Sequence, residues 1–362
     1  MHVRVWKEMA SLRDTWQKLQ SDGRCHVFQT FEWVNDWLET VGKSLHVEPF
    51  IISASIDEQD EPFLIIPFAI RRMAGVRILG MAGGYHADYT GGVIAGDADA
   101  CMAESLWGEV MRLAKVEDVD LVWLSNIPEQ IDGRPNPVFS DSCIQTSEAH
   151  AVSIEGSWRA FYESRVKSRI RADSRRQIKR LSEIGELSFR IAHDESEINM
   201  LTEIMINQKR ARYKAMGVKD QFLKPENRKF FMRRNEGNMG VRPHVAALLL
   251  DDRILAVHWG EIYHGTFYYL MPSHDPLWEK YSPGRLLLEH LLEWCFSNGL
   301  RCFDFTGGGE AYKLEWANSV TVLYKYERAL TIKGKAFLMA SSAYRNHVRG
   351  IIHAIRKGSW KR

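Results

Sequence analysis

Apolar residues along this chain fall into two alternating patterns, short runs with strand character and stretches with helical spacing, which together predict mixed α and β structure. In the first half, Phe31, Trp33, Val34, Trp37, Leu38 and Val41 predict a helix over 31–41. Apolar runs at 47–54 and 62–70, separated by the polar cluster Asp57-Glu58-Gln59-Asp60-Glu61, read as an antiparallel hairpin. Short strands are expected at 77–81 and 92–95, with the glycine-rich loop Gly83–Tyr89 between them. A helix over 100–115 carries Met102, Leu106, Val110 and Leu113 on one side, and a strand follows at 121–124. Residues 127–142 hold three prolines and predict an irregular connection.

The second half opens with a strand at 151–154 and one long helix over 157–181, whose narrow stripe is Trp158, Phe161, Tyr162, Val166, Ile170, Ile178 and Leu181. A strand at 187–192 and helices over 195–213 and 226–234 come next. Three strands at 244–250, 254–262 and 266–271 are joined by Asp251-Asp252-Arg253 and Tyr263-His264-Gly265, short turns suited to hairpins. A helix over 286–296 presents Leu287, Leu288, Leu291, Leu292 and Cys295 on one face and stops at Asn298-Gly299. Strands at 301–305 and 321–330 and a terminal helix over 335–356 complete the pattern.

A chain of 362 residues is too long for one ordinary core. The expected division is 1–150, 151–334 and a basic C-terminal helix in 335–362. With 45% hydrophobic and 26% charged residues the composition is that of a globular protein. The most apolar runs, Phe63–Ile70 and Val245–Leu250, are far shorter than the ~20 residues that span a bilayer. No apolar stretch follows the N-terminal charges, so no secretory signal is expected. The five cysteines are odd in number and form no Cys-x-x-Cys pair. That argues against a disulfide framework or a metal site and for a cytoplasmic location.

A net charge of +2 points to no partner, but the charge is uneven. Between Trp158 and Leu181 nine Lys/Arg face two acidic residues. The stretch Arg165–Arg180 is either a solvated face or a surface for an anionic partner, tRNA or a membrane surface. The segment 345–362, with Arg345, Arg349, Arg356, Lys357, Lys361 and Arg362 around Ile351, Ile352 and Ile355, suits a membrane surface or a docking helix.

The chemistry concentrates where the three-strand meander meets its crossover helix. Ser282 fits a helix N-cap, Pro283 the first helical position, and Gly284 leaves room for a ligand against the backbone. A helix start with unpaired N–H groups and the positive dipole end, flanked by Lys280 and Arg285, suits a pyrophosphate. The run Gly307–Gly309 lacks the following Lys-Ser/Thr of a P-loop, which excludes that nucleotide site.

The order Tyr281-Ser282-Pro283-Gly284-Arg285-Leu286-Leu287-Leu288, Gly299, Phe303-Asp304-Phe305-Thr306-Gly307-Gly308 and Tyr312-Lys313 resembles GNAT-type acetyltransferases associated with cellulose and exopolysaccharide synthesis, relatives of the Fem-type peptidyltransferases. Phe28-Gln29-Thr30-Phe31-Glu32-Trp33, Pro67-Phe68-Ala69-Ile70-Arg71-Arg72, Asp88-Tyr89-Thr90-Gly91-Gly92 and Arg175-Arg176-Gln177-Ile178-Lys179-Arg180 stand in the matching order. The resemblance spans roughly residues 25–330. It departs from the usual pyrophosphate loop in having one glycine, Gly284, within Lys280–Arg285.

The resemblance implies an α/β fold with a mixed sheet, two tandem GNAT-like acyl-CoA N-acyltransferase domains, the first without its own cofactor. It also implies acetyl-CoA as co-substrate, no metal, and a small-molecule or saccharide acceptor bearing an amine or hydroxyl. Such transfer needs an oxyanion donor, a base and an acid. Backbone N–H groups along Tyr269, Leu270 and Met271 are expected to serve the oxyanion and, with Ser282, Pro283, Gly284 and Arg285, to hold the donor. Tyr312 is the candidate acid. His258, Glu261 and Asp304 are candidate bases; the odd spacing of the first two sends them to opposite faces of one strand, so one of them at most faces the site. Lys313 is expected to steer an anionic acceptor or to pair with Asp304. A Fem-type transferase using aminoacyl-tRNA and a non-catalytic accessory protein are the alternatives.

Overall fold

The computed structural model describes residues 1–96, 103–237 and 243–344. The first half opens with β1 (His2–Trp6), α1 (Arg13–Asp22) and α2 (Phe31–Trp37). A meander follows: β2 (Glu48–Ser55), β3 (Leu64–Met73) and β4 (Val76–Met81). Then come β5 (Val93–Ile94), α3 (Ala103–Val116), β6 (Leu121–Pro128), the small hairpin β7 (Gln130–Ile131) and β8 (Arg134–Pro135), and β9 (Ile144–Ser153). In the second half α4 (Trp158–Arg165), α5 (Ser168–Ser182), β10 (Leu187–Ile191), α6 (Glu195–Met216) and α7 (Pro225–Asn235) precede a second meander. That meander is β11 (His244–Leu250), β12 (Arg253–Tyr263) and β13 (Thr266–His274). The chain continues through α8 (Pro283–Ser297), β14 (Cys302–Gly307), α9 (Ala311–Trp316), β15 (Ser319–Ala329) and a helix α10 whose described part is 332–344.

The two halves repeat one plan. In each, an antiparallel meander is followed by a crossover helix and a strand parallel to the last of the meander: β6 beside β4, and β14 beside β13. The halves then interlace. The strand β15, last in the chain, pairs with β6 of the first half, while β9 pairs with β14 of the second. The two also pair with each other, so one mixed sheet of 13 strands runs through the molecule. The division expected near residue 150 falls inside β9.

The unbroken apolar run of β11 follows from burial on both faces. Ala246, Leu248 and Leu250 pack with Leu287, Leu288, Leu291 and Leu292 of α8. Val245, Ala247 and Leu249 pack on the other face with Leu201, Met205 and Ile206 of α6. Helix α6 therefore covers the sheet face opposite α8.

Several elements differ from the sequence reading. The single helix expected over 157–181 is two, α4 and α5, because Val166 and Lys167 take extended ψ angles of 122° and 137°. Val166 turns inward and is 2% exposed, while Arg165 hydrogen-bonds the carbonyls of Leu314 and Ala317. The irregular connection contains the β7–β8 hairpin, β9 begins seven residues before the expected strand, and β13 runs on to His274. The start of the helix expected at 100 and the basic segment 345–362 lie outside the described residues. Among the described residues no helix is long and apolar enough to cross a membrane.

Candidate active site

β13 and β14 part soon after they meet. Their parallel ladder joins only Thr266 to Cys302, Phe267 to Phe303 and Tyr268 to Asp304. Beyond it, β13 runs on beside β12 alone, and β14 slips register against β9 between Asp304 and Gly307. Thr306, a β-branched residue at φ 60°, bends β14 there, and its N–H donates to Asp304 Oδ1 at 2.6 Å. Such a residue holds the left-handed region only where its surroundings fix it. The result is a fork. Along Tyr269, Leu270 and Met271, backbone groups on the β14 side have no ladder partner among the described residues.

Helix α8 starts at the mouth of this fork. Pro283 takes the first helical position as expected. Ser282 holds the N-cap position, its carbonyl accepting from the Arg285 and Leu286 N–H groups, but it sits in the left-handed conformation at the end of a 3-10 turn over Pro276–Tyr281 and its side chain makes no capping bond. A Cβ built on Gly284 would meet only His274 Nδ1, at 3.5 Å, so internal packing leaves that position open. Arg285 is engaged with Asp173. Lys280 and Arg180 lie over the Tyr281 ring at 5.0 and 4.7 Å, adding positive charge near the helix start.

The fork has a proton donor on one face and carboxyl groups on the other. On the α8 face, the Tyr312 ring meets Phe305 edge-on at 6.2 Å. Burial, then the charge of Glu310, hold its hydroxyl above the ordinary phenol range, so it stays protonated at neutral pH. On the opposite face Asp304 accepts the Tyr89 hydroxyl at 2.9 Å on both oxygens. Burial pushes Asp304 up to about 7; the Thr306 and Tyr89 hydrogen bonds oppose the shift, and neighbouring Asp88 adds to it. Asp88 is itself pushed up to about 6, chiefly by burial, against a hydrogen bond from Thr306 and the charge of Lys313. Asp304 and Tyr89 also line a cavity between the halves, with His26, Tyr263 and Tyr268.

Lys313 is buried, donates to the Gly307 carbonyl at 2.7 Å and pairs with Glu310 at 2.9 Å. It is not bonded to Asp304, although its charge acts on that carboxyl. His258 and Glu261 do point to opposite faces, but neither reaches the fork. His258 is sealed on the α8 face between Tyr269, stacked at 4.5 Å, and Phe267, and burial keeps it neutral. Glu261 accepts Arg234 at 2.8 Å in a buried ion cluster between the halves. Of the expected residues, the structure gathers Asp304, Tyr312, Lys313 and Gly284 around the fork.

Residues missed by the sequence reading complete the site. Asp88 and Tyr89 arrive from the loop after β4, where they served only as part of a motif. From α6 the charges of Lys209 and Arg212 act on the site, the first on Lys313 and the second on Tyr312. Lys209 carried a legible signal, since it continues the buried stripe Leu201, Met205 at a spacing of four with a charged residue.

Residues 168–314 match the family model described as an acetyltransferase (GNAT) domain. That segment runs from α5 to α9 and contains both lips of the fork. No curated protein matches the sequence. Among solved structures, FemX aligns with a TM-score of 0.62 at 10% identity, over 90% of this chain and 97% of that one. A conserved protein of unknown function from Bacteroides thetaiotaomicron aligns at 0.56 with 12% identity, over 90% and 99%. The chain thus has a GNAT acyltransferase fold, α/β with two GNAT-like halves on one mixed sheet.

Proposed function

We propose that this chain moves an acyl group, acetyl in the simplest case, from a coenzyme A thioester to an amine. The observation that carries the reading is the fork itself: an unpaired strand edge with a helix start at its mouth, Tyr312 on one face and Asp304 on the other. The orphan N–H of Gly284 and the dipole of α8 receive the pyrophosphate. Backbone N–H groups on the Tyr269–Met271 edge receive the charge that develops on the carbonyl oxygen. Asp304 takes the proton of the attacking amine, and Tyr312 gives one to the departing sulfur. Acid and base lie on opposite faces, so donor and acceptor approach from opposite sides.

Calorimetry with acetyl-CoA tests the donor. Gly284→Asp places a carboxylate beside the pyrophosphate and is expected to weaken binding roughly tenfold or more, with the melting temperature kept because its Cβ has room. Equal affinity in wild type and variant would move the donor elsewhere. Tyr312→Phe removes the proton donor alone. Turnover is expected to fall by about 10²-fold with acetyl-CoA affinity unchanged; full turnover would leave Tyr312 as a packing residue.

One observation favours a second reading, a donor carried on tRNA. Helix α5 and the residue before it expose Lys167, Arg169, Arg175 and Lys179 with no ion pair among the described residues. Thermal shifts with acetyl-CoA and with tRNA separate the two readings, because each ligand stabilises only a chain that binds it. The motif resemblance alone supports a saccharide acceptor and a role in polysaccharide or cell-envelope synthesis.

A further inference from the structure

We propose that Tyr89, a side chain of the first half, is the positioning residue for the base Asp304 in the second: it orients the carboxyl and favours its ionised form. The inference rests on the base assigned under the proposed function. The loop 82–92 that carries Tyr89 is built into the first half. The Tyr89 carbonyl accepts Gln29 Nε2 at 2.8 Å. The Thr90 N–H donates to the Asn126 carbonyl of β6 at 2.8 Å, and Asn136 Nδ2 donates to the Thr90 carbonyl at 2.8 Å. The Tyr89 ring stacks on His26, with centroids 4.2 Å apart and planes at 21°, and Phe28 lies at 5.9 Å. His26 Nδ1 in turn meets the Tyr268 hydroxyl at 3.3 Å, and Tyr268 is the ladder partner of Asp304. The ring is 3% exposed, so packing from both halves fixes it.

From this held ring the hydroxyl crosses the seam and stands 2.9 Å from both Asp304 oxygens. A phenol has one proton to give, so it bridges the two oxygens. The Thr306 N–H donates to Oδ1 at 2.6 Å. The two donors together set the plane of the carboxyl and leave lone pairs for the proton of an incoming amine. A hydrogen bond to a carboxylate also favours the charged form. At Asp304 burial and the charge of Asp88 oppose ionisation, while the Thr306 N–H, Tyr89 and the charge of Lys313 favour it. The other titratable groups acted on by the Asp304 charge are Tyr268 of β13 and Cys302 of its own strand, and both stay protonated at neutral pH. So does Tyr89 itself. The first half, expected to carry no donor of its own, thus has a part in the chemistry of the second.

A pH titration of the full chain by NMR, with carbon-13 in the aspartate carboxyls, reads Asp304 directly. Its signal is assigned by its loss in Asp304→Asn, and neither donor nor acceptor is needed. Tyr89→Phe keeps the ring and removes one donor to a charged group, so the Asp304 midpoint is expected to rise by about one pH unit. 3-Fluorotyrosine at position 89 is a stronger donor and is expected to lower the midpoint. Opposite movements are not what a merely structural role would give. Should Tyr89→Phe fail to fold, the fluorotyrosine chain decides by its sign alone. Thiol release from acetyl-CoA, with glucosamine as the probe amine, is expected to fall about fivefold at pH 7 in Tyr89→Phe, the loss of ionised base when a midpoint near 7 moves up by that amount. It should recover at pH 9, where the carboxyl is ionised in both chains. An unmoved midpoint overturns the proposal, and so does a loss of turnover that persists at pH 9. Calorimetry with acetyl-CoA on the wild type separates the two readings. Binding with an unmoved midpoint overturns the proposal alone, whereas absence of binding overturns the donor reading and the proposal with it.

Discussion

Asp304→Asn is expected to lower turnover by roughly 10²–10⁴-fold, the range for removing a positioned base. The substitution is nearly isosteric. Tyr89 and the Thr306 N–H can still donate to the remaining carbonyl oxygen, so fold and acetyl-CoA affinity should hold. The pH profile carries more information than the loss itself. A base works only when ionised, and burial sets Asp304 at about 7, so wild-type activity should rise with pH through that region. Asp88, at about 6, shares the site, and the limb belongs to the pair of carboxyls. Asp88→Asn removes a negative neighbour, so the limb should move to lower pH while activity above it persists. Stability should change in the opposite direction to activity. The folded chain holds a proton on Asp304 above the ordinary carboxylate range, so its ionisation costs stability as pH rises from about 4 towards 7. Asp304→Asn lacks that cost and should lose less stability over this range. An unchanged pH limb in Asp304→Asn would assign the limb to another group.

The core of the second half was legible because its signals are local. Asp251-Asp252-Arg253 and Tyr263-His264-Gly265 marked both hairpin turns, and the structure puts Asp251, His264 and Gly265 at positive φ, where such residues are tolerated. The leucine stripe of α8 and Pro283 likewise appeared where expected. What could not be read is long-range. Nothing near Asp304 announces that Tyr89, 215 positions earlier, will donate to it. Nothing in β15 announces that it will leave its own half to lie beside β6. The break between α4 and α5 was hidden as well. Val166 fitted the apolar stripe of one continuous helix, and only the packed core makes it a turning point. For His258 and Glu261 the alternation was right but insufficient. It separates two faces and does not say where along the strand the fork opens.

Arg234→Met is expected to cost the fold about 3–5 kcal/mol, the loss seen when one partner of a buried ion cluster is removed. Arg234 lies on α7 and reaches both halves. It donates to Glu261 Oε1 at 2.8 and 3.0 Å and to Asp36 of α2 at 3.1 Å. Asp36 keeps a second partner in Arg233, at 2.8 Å. Among the described residues Glu261 has no other donor, and its second oxygen is already buried without one. The variant therefore strands one carboxylate and weakens the hold on another at the seam between the halves. Its deficit should depend on pH. In the wild type, burial raises both carboxyl pKa values and Arg234 opposes the rise. A carboxyl with a folded pKa above its unfolded one binds more protons when folded, so stability falls as pH rises through that window. Without Arg234 the window extends upward, and the deficit should be largest at pH 8 and shrink towards pH 5, where protonation relieves the stranded charge. Urea denaturation of wild type and variant at the two pH values measures this directly. A deficit under about 1 kcal/mol, or one equal at both pH values, would mean that the seam is held by its aromatic contacts, such as Trp33 against Phe230, and not by the ion cluster.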